Sequence, residues 1–299
     1  MNAEKNYNLE VSPTIDDRLA KQKLFELRWP ARKPLPGDLR RRICCIIPCY
    51  DVGRLCEPVL RDCVPHVARI IAVDDGSSDD TAAYLKAAQE RWPRIVHVLT
   101  LGQNRGKGVA LLRGFRQALH QTDCDVIVTL DGDGQHRAGD IPRVAEPCLK
   151  NEADLTIAQR QFPPEAPARS RIGNLASHGI LKMVYRKCPP DTQCGLRGHR
   201  RELVARMVQT LEGNRYDTEA RILMLAMRWR RRVAQAQVPA IYLGKNESSH
   251  YRPWMDSFRI FGAFLTVVAL PEMGIPVNPN GLFPGRIRRR NRSHEDGMP

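Results

Sequence analysis

No stretch of this 299-residue chain has the roughly 20 consecutive apolar residues that a membrane-spanning helix needs. The nearest approach, Ile260–Leu270, is ended by Pro271 and has the length of a buried or interfacial helix. The N-terminus, MNAEKNYNLE, is polar and has no apolar core, so no secretory leader is expected. Cysteine is sparse: nine residues, with no pair of CxxC motifs at zinc spacing. That excludes a disulfide scaffold and a structural zinc site. Cys44, Cys45 and Cys49 lie in or beside an apolar run and read as small buried hydrophobes of a reducing cytosol. Acid is also short, with 33 Asp+Glu against 47 Lys+Arg and a net charge of +14. Such an excess suits nucleic acid, an anionic membrane surface or phosphorylated substrates. The chain has no RNP motif, zinc finger, helix-turn-helix signature or basic-aromatic repeat, so nucleic acid is not an expected partner.

What is present is ordinary globular composition, 42% hydrophobic and 27% charged, in a length that suits one large domain or two small ones. Residues 1–41 are polar and Pro-rich and read as an appendage. From Ile43 the pattern alternates. ICCIIPC (Ile43–Cys49), Ala68–Asp75, Arg94–Leu101, Asp125–Asp131 and Ala153–Arg160 are strand-like, and the first is the continuous apolar run of a buried parallel strand. Helical periodicity lies between them at Arg54–Cys63, Asp79–Arg91, Gly106–His120 and Ile141–Lys150. Alternation of this kind predicts an α/β fold with a mostly parallel sheet flanked by helices. After Arg160 the regularity weakens: a helix at Ile172–Tyr185, an irregular stretch Asp191–Leu203 running into a helix, a helix Arg215–Arg230 and a strand Val233–Leu243. The expected division is one domain over 42–250, with a nucleotide-binding half to about 160 and an acceptor half beyond it. An amphipathic segment and basic tail follow over 251–299.

Parallel sheets bind ligands at the carboxyl ends of their strands. Polar clusters stand at three of those ends: Pro48-Cys49-Tyr50-Asp51, Asp74-Asp75-Gly76-Ser77 and Asp131-Gly132-Asp133. In VTLDGDGQH, Asp131 and Asp133 are set two residues apart by a glycine, with Gln135 two further on. Hard oxygen donors in this arrangement suit Mg²⁺ or Mn²⁺ shared with a substrate's phosphates. An Asx-rich turn capping the next helix is the alternative. Asp74 and Asp75 exceed what helix capping by Ser77–Asp80 requires. Gly106 and Gly108 flank Lys107 at a helix start, a place suited to phosphate, although GxxxxGK[ST] is absent.

In their order, IPCYD, VDDGSSDDT, NRGKGVALLRG, DGDGQH, TQCGLRGHRREL and SSHYRP, these motifs resemble a GT-A-fold, family-2 inverting glycosyltransferase. The similarity runs from about Ile43 to Ile260 and points to the polyprenyl-phosphate (dolichyl-phosphate type) sugar transferases. The resemblance implies a nucleotide-diphosphate sugar donor. Pro48, Tyr50, Asp74 and Asp75 would line the nucleoside pocket, and Asp131 and Asp133 would reach the divalent ion with Gln135 beside it. Asp51-Val52 stands where the family usually shows Asn-Glu. The membrane spans of many relatives are missing, which implies peripheral attachment at the inner face of the cytoplasmic membrane.

Two mechanisms follow. A lipid-phosphate acceptor is already anionic and needs positioning arginines, for which Arg160, Arg171 and Arg197 are candidates. A hydroxyl acceptor needs a carboxylate base, and Asp217 and Glu219 in RYDTEAR are the acids placed for it. Surface helix partners are their alternative reading. A sugar nucleotidyltransferase is the rival enzyme, but its GxGTR-type loop is absent after the first strand. A non-catalytic membrane-surface protein is the other rival, and the intact Asp131 and Asp133 count against it. Trp254–Leu270 and the five arginines of Arg286–Arg292 are the candidate membrane contacts.

Overall fold

The computed structural model describes residues 30–161, 189–211 and 218–241. The expected helix at 172–185, Arg171, Asp217, the segment 254–270 and the basic tail lie outside the described residues.

Among the described residues seven strands form one sheet: β1 (Ile43–Cys49), β2 (Arg69–Asp74), β3 (Val96–Thr100), β4 (Val126–Thr129), β5 (Leu155–Gln161), β6 (Arg197–Arg200) and β7 (Val233–Pro239). Their order is β3-β2-β1-β4-β6-β5-β7. All pairings are parallel except those of β6, which runs antiparallel between β4 and β5. Among the described residues, the helices of eight residues or more are α1 (Cys56–Cys63), α2 (Thr81–Arg91), α3 (Lys107–Gln121), α4 (Ile141–Leu149), α5 (Arg201–Thr210) and α6 (Thr218–Arg228). Helix α3 packs across β1 and β2, α4 packs across β4, β5 and β6, and α5 lies on α3. Residues Ile43 through Ile47 have no exposed surface, as expected of a central strand covered on both faces.

The first nine alternating elements stand where the hydrophobic pattern puts them, within a few residues at their ends. Strand β6 is a correction. Residues 191–203 read as irregular in sequence because Arg-Gly-His-Arg carries no apolar run. The sheet nevertheless takes it up, with Arg197, Gly198 and His199 buried. His199 is a core residue: one ring nitrogen, Nδ1, pairs with the Ile127 carbonyl at 3.0 Å and the ring stands edge-on to Phe115. Burial pushes its pKa down to about 3, so it is neutral. The end of the polar N-terminal stretch docks on the domain. The Arg32 amide donates to the Gly139 carbonyl at 3.0 Å, and an Arg143 guanidinium nitrogen donates to the Pro30 carbonyl at 2.7 Å.

The order of the central strands sets the site. From β1 the chain moves outward through β2 to β3, then returns to the other side of β1 as β4. The crevice at that reversal, outside the carboxyl ends, is where such sheets take ligands. Cys49 pairs level with Asp74, and the Leu130 amide still donates to the Ile46 carbonyl at 3.1 Å before the chain turns away at Asp131. The ends of β1, β2 and β4 therefore open onto one crevice.

Candidate active site

Asp131 leaves the end of β4 and meets a cation from across the crevice. Lys107, the first residue of α3, places Nζ 2.6 Å from Asp131 Oδ1 and 3.2 Å from Glu219 Oε1. The three side chains are 23%, 25% and 14% exposed. Burial would lower the lysine's pKa, but Asp131 and then Glu219 outweigh it and hold it well above the ordinary value. Burial likewise pulls Asp131 up, and the Lys107 charge overrides it, so Asp131 stays ionised with its pKa lowered. Asp133 goes the other way. Burial, and then the charge of Asp131, raise it to about 6. Its Oδ1 accepts the Gln135 amide at 3.0 Å, which tightens the Asp131–Gln135 turn. His136 Nε2 lies 3.9 Å from Asp131 Oδ2, and burial takes its pKa down to about 4, so it adds no positive charge at neutral pH.

The backbone of Gly195 forms the wall behind Asp131. A Cβ there would lie 2.3 Å from Oδ2 and 2.6 Å from Oδ1. The Gly195 carbonyl is held by the Thr129 hydroxyl at 2.8 Å, which ties this wall to the end of β4. Gly132 makes a similar approach, since a Cβ would come 2.9 Å from Cys49 Sγ.

Just past the end of β2, Asp75 is 2% exposed and its two oxygens accept the amides of Arg105 (2.8 Å) and Gly106 (2.7 Å). It fixes the loop that delivers Lys107. Asp74, also 2% exposed, accepts the Ser77 amide at 2.9 Å. Asp51 has φ +47° and its Oδ1 accepts the Ser78 amide at 2.7 Å. Burial acts upward on Asp51, and the hydrogen bonds from Ser78 and Tyr50 bring its pKa below the ordinary value. Pro48 and Tyr50 are half-buried at the same strand end. Helix α2 begins at Thr81 with Asp80 at its N-cap and no side-chain cap there, so the expected capping by Ser77–Asp80 is not seen; Asp79 instead closes a local turn by accepting the Thr81 amide at 3.0 Å.

At the end of β5, Arg160 and the buried Asp191 form a two-point ion pair, with Nε to Oδ2 at 2.7 Å and Nη2 to Oδ1 at 3.1 Å. Arg197 is corrected. It is 1% exposed, and its guanidinium donates to the backbone carbonyls of Cys194 (2.7 Å), Glu219 (2.6 Å) and Thr192 (2.9 Å). A fully buried guanidinium spent on three carbonyls is a structural clamp that holds the 192–194 turn to the start of α6, and it cannot grip a phosphate or touch a reacting atom. Cys194 is buried and burial raises its thiol pKa to about 12, consistent with packing.

Sequence reasoning therefore paired Asp131 with Asp133 and named Lys107 and Glu219, but missed that Lys107 pairs with both Asp131 and Glu219. It also missed Asp191 and Gly195. The signal available was the DTQCG stretch, where an acid and a glycine precede a strand.

The family model for glycosyl transferase family 2 matches residues 44–234, which span every element of the crevice. The chain belongs to glycosyl transferase family 2. It is 27% identical over 213 residues to UDP-N-acetylglucosamine–dolichyl-phosphate N-acetylglucosaminyltransferase of Methanococcus voltae, covering 66% of this chain and 84% of that protein. It is 32% identical over 188 residues to undecaprenyl-phosphate 4-deoxy-4-formamido-L-arabinose transferase of Pseudomonas aeruginosa, covering 60% of this chain and 52% of that longer protein. Among solved structures, glucosyl-3-phosphoglycerate synthase of Mycobacterium tuberculosis, in complex with Mn²⁺, uridine diphosphate and phosphoglyceric acid, superposes with a TM-score of 0.61 at 20% identity. That match covers 80% of this chain and 84% of the other, and it establishes a shared GT-A fold. The protein is thus a family-2 glycosyltransferase.

Proposed function

We propose that this glycosyltransferase moves a sugar from a nucleoside diphosphate sugar to a polyprenyl phosphate, with inversion and with help from Mg²⁺ or Mn²⁺. The observation that carries the reading is the convergence of Asp131, Asp133 and Lys107 at the β1/β4 reversal. Relatives named for dolichyl-phosphate and undecaprenyl-phosphate transfer support this acceptor class.

The residues fit a divalent ion. Asp131 already holds a cation at 2.6 Å, and Asp133 is a half-buried carboxylate whose pKa is raised by burial and then by the charge of Asp131, which a cation would offset. Among the described residues no group of three His, Cys, Asp or Glu side chains encloses a metal. Substrate oxygens would complete the shell of an ion held by two carboxylates. Asp131 and Asp133 would hold the ion, with Gln135 beside them. When bound, it supplies neutralisation of charge on the departing diphosphate.

The remaining steps belong to the protein. Pro48, Tyr50, Asp51, Asp74 and Asp75 shape the nucleoside end, the last by anchoring the 105–106 loop. Lys107 offers a fixed positive charge to the diphosphate. Arg160, held by Asp191, and Arg171 are the candidates for orienting the acceptor phosphate, whose oxygen is the nucleophile. One observation favours a second reading. Glu219 stands at the site, 3.2 Å from Lys107, where a base for a hydroxyl acceptor belongs. Asp217 is the other candidate for that role.

Among the described residues no helix is long and apolar enough to cross a membrane. Residues 254–270 and the arginines of 286–292 are the proposed contacts with the inner face of an anionic bilayer. The test incubates the protein with Mn²⁺, a panel of UDP-, GDP- and dTDP-sugars and a short polyprenyl phosphate, followed by mass spectrometry of the lipid. A sugar-linked lipid phosphate with inverted anomeric configuration is expected. Transfer to soluble hydroxyl acceptors alone refutes the lipid reading. Salt-sensitive co-sedimentation with anionic vesicles tests the attachment, and equal partition with neutral and anionic vesicles refutes it.

A further inference from the structure

We infer that Lys107 competes with the metal for Asp131 and thereby makes metal binding depend on the nucleotide. The inference rests on the proposed metal site. Three observations carry it. Lys107 Nζ sits 2.6 Å from Asp131 Oδ1, a distance at which it occupies that oxygen's side of the site. Asp131 is walled on one side, because a Cβ on Gly195 would lie 2.3 and 2.6 Å from its two oxygens. Lys107 has little retreat at its root, since Asp75 fixes the amides of Arg105 and Gly106 just before it.

The local charge explains why a competing cation is needed. Asp131, Asp133 and Glu219 bring three carboxylates into one crevice, and Arg160 is already matched by Asp191. Lys107 is the cation within ion-pair distance of both Asp131 and Glu219. A divalent ion at Asp131 must therefore contest Oδ1 with a lysine that also has a second anchor, Glu219. A nucleoside diphosphate changes the balance. Its phosphates give Lys107 a new partner, so Lys107 can release Oδ1 without being left unpaired in a partly dry site. Metal and nucleotide then favour each other's binding, and linkage requires the coupling to be the same in both directions.

The experiment measures Mn²⁺ binding by loss of the free-ion electron paramagnetic resonance signal, without any turnover. The wild type, Lys107→Gln and Lys107→Arg are each titrated with and without saturating UDP or GDP. The wild type is expected to bind Mn²⁺ about tenfold or more tightly when the nucleotide is present, the ordinary size of a coupling between sites. Lys107→Gln should bind Mn²⁺ alone about tenfold more tightly than the wild type and respond less than about threefold to nucleotide. Lys107→Arg keeps the charge and should keep the weak nucleotide-free binding, so it tests the idea even if the glutamine variant folds poorly. Nucleotide-free Mn²⁺ affinity in Lys107→Gln equal to or below wild type overturns the competing role. So does tighter nucleotide-free binding in Lys107→Arg. Absence of saturable Mn²⁺ binding in every protein, with nucleotide present, overturns the metal site itself and is distinguishable from both.

Discussion

Replacing Gly195 by alanine should damage the active site through one methyl group. The added Cβ would stand 2.3 Å from Asp131 Oδ2, whereas ordinary contact begins at 3.4 Å and real Cβ atoms essentially never come under 3.0 Å. The gap to be opened is therefore between 3.0 − 2.3 = 0.7 Å and 3.4 − 2.3 = 1.1 Å. The backbone cannot supply it cheaply. Thr129 pins the Gly195 carbonyl, Arg197 pins that of Cys194, and Cys194 and Leu196 are buried on either side. The Asp131 carboxylate must move instead, which disturbs its 2.6 Å contact with Lys107. Overpacking of this kind costs about 1–3 kcal/mol. At roughly 2–4 °C per kcal/mol for a domain of this size, the melting temperature should fall by about 2–12 °C. A displacement near 1 Å in a catalytic group costs about a hundredfold in rate, so kcat/KM should fall far more than stability does. Donor hydrolysis and calorimetric melting measure the two effects. Gly37→Ala is the control, because its added Cβ meets nothing closer than 3.9 Å. Wild-type kcat/KM in folded Gly195→Ala would falsify the tight packing of Asp131 against this backbone.

Three further outcomes are expected. Asp133 has a folded pKa raised to about 6 against an ordinary 3.8, so the native state holds the proton more tightly than the unfolded chain. Its contribution is favourable at acid pH and is lost as pH rises from about 4 through 6. Asp133→Asn should therefore raise the metal-free melting temperature at pH 7.5 while abolishing metal-dependent turnover, and a lower melting temperature there contradicts the reasoning. Arg197→Met should destabilise by about 3 kcal/mol or more in urea unfolding, since buried carbonyls left unpaired cost roughly 1–3 kcal/mol each. A variant of wild-type stability with a raised acceptor KM would restore Arg197 to the acceptor site. Asp75→Ala releases the 105–106 amides and should weaken nucleoside diphosphate binding roughly tenfold, because a charge-assisted hydrogen bond contributes about 1.5–3 kcal/mol. Unchanged affinity by titration calorimetry rules out the anchoring role.

Sequence by itself determined the architecture up to Gln161. A run such as Ile43–Ile47 has one low-energy placement, a strand covered on both faces, and the acids ending three such strands share an edge once the strands are parallel. Periodicity is a local property, so these elements were legible, and so were Asp74, Asp75, Asp131 and Asp133 as strand-end residues. Tertiary structure alone decided what lies far apart in sequence. Strand β6 has no apolar pattern and forms because β4 and β5 leave a gap between them, which a buried Arg-Gly-His-Arg segment fills. Arg197 looked like an anion ligand because a guanidinium matches phosphate, and three backbone carbonyls claim it first. Lys107 and Glu219 are 112 residues apart and meet only because α3 and α6 begin at the same end of the sheet. Charge pairing across such a separation depends on distance in space, which no spacing along the chain encodes.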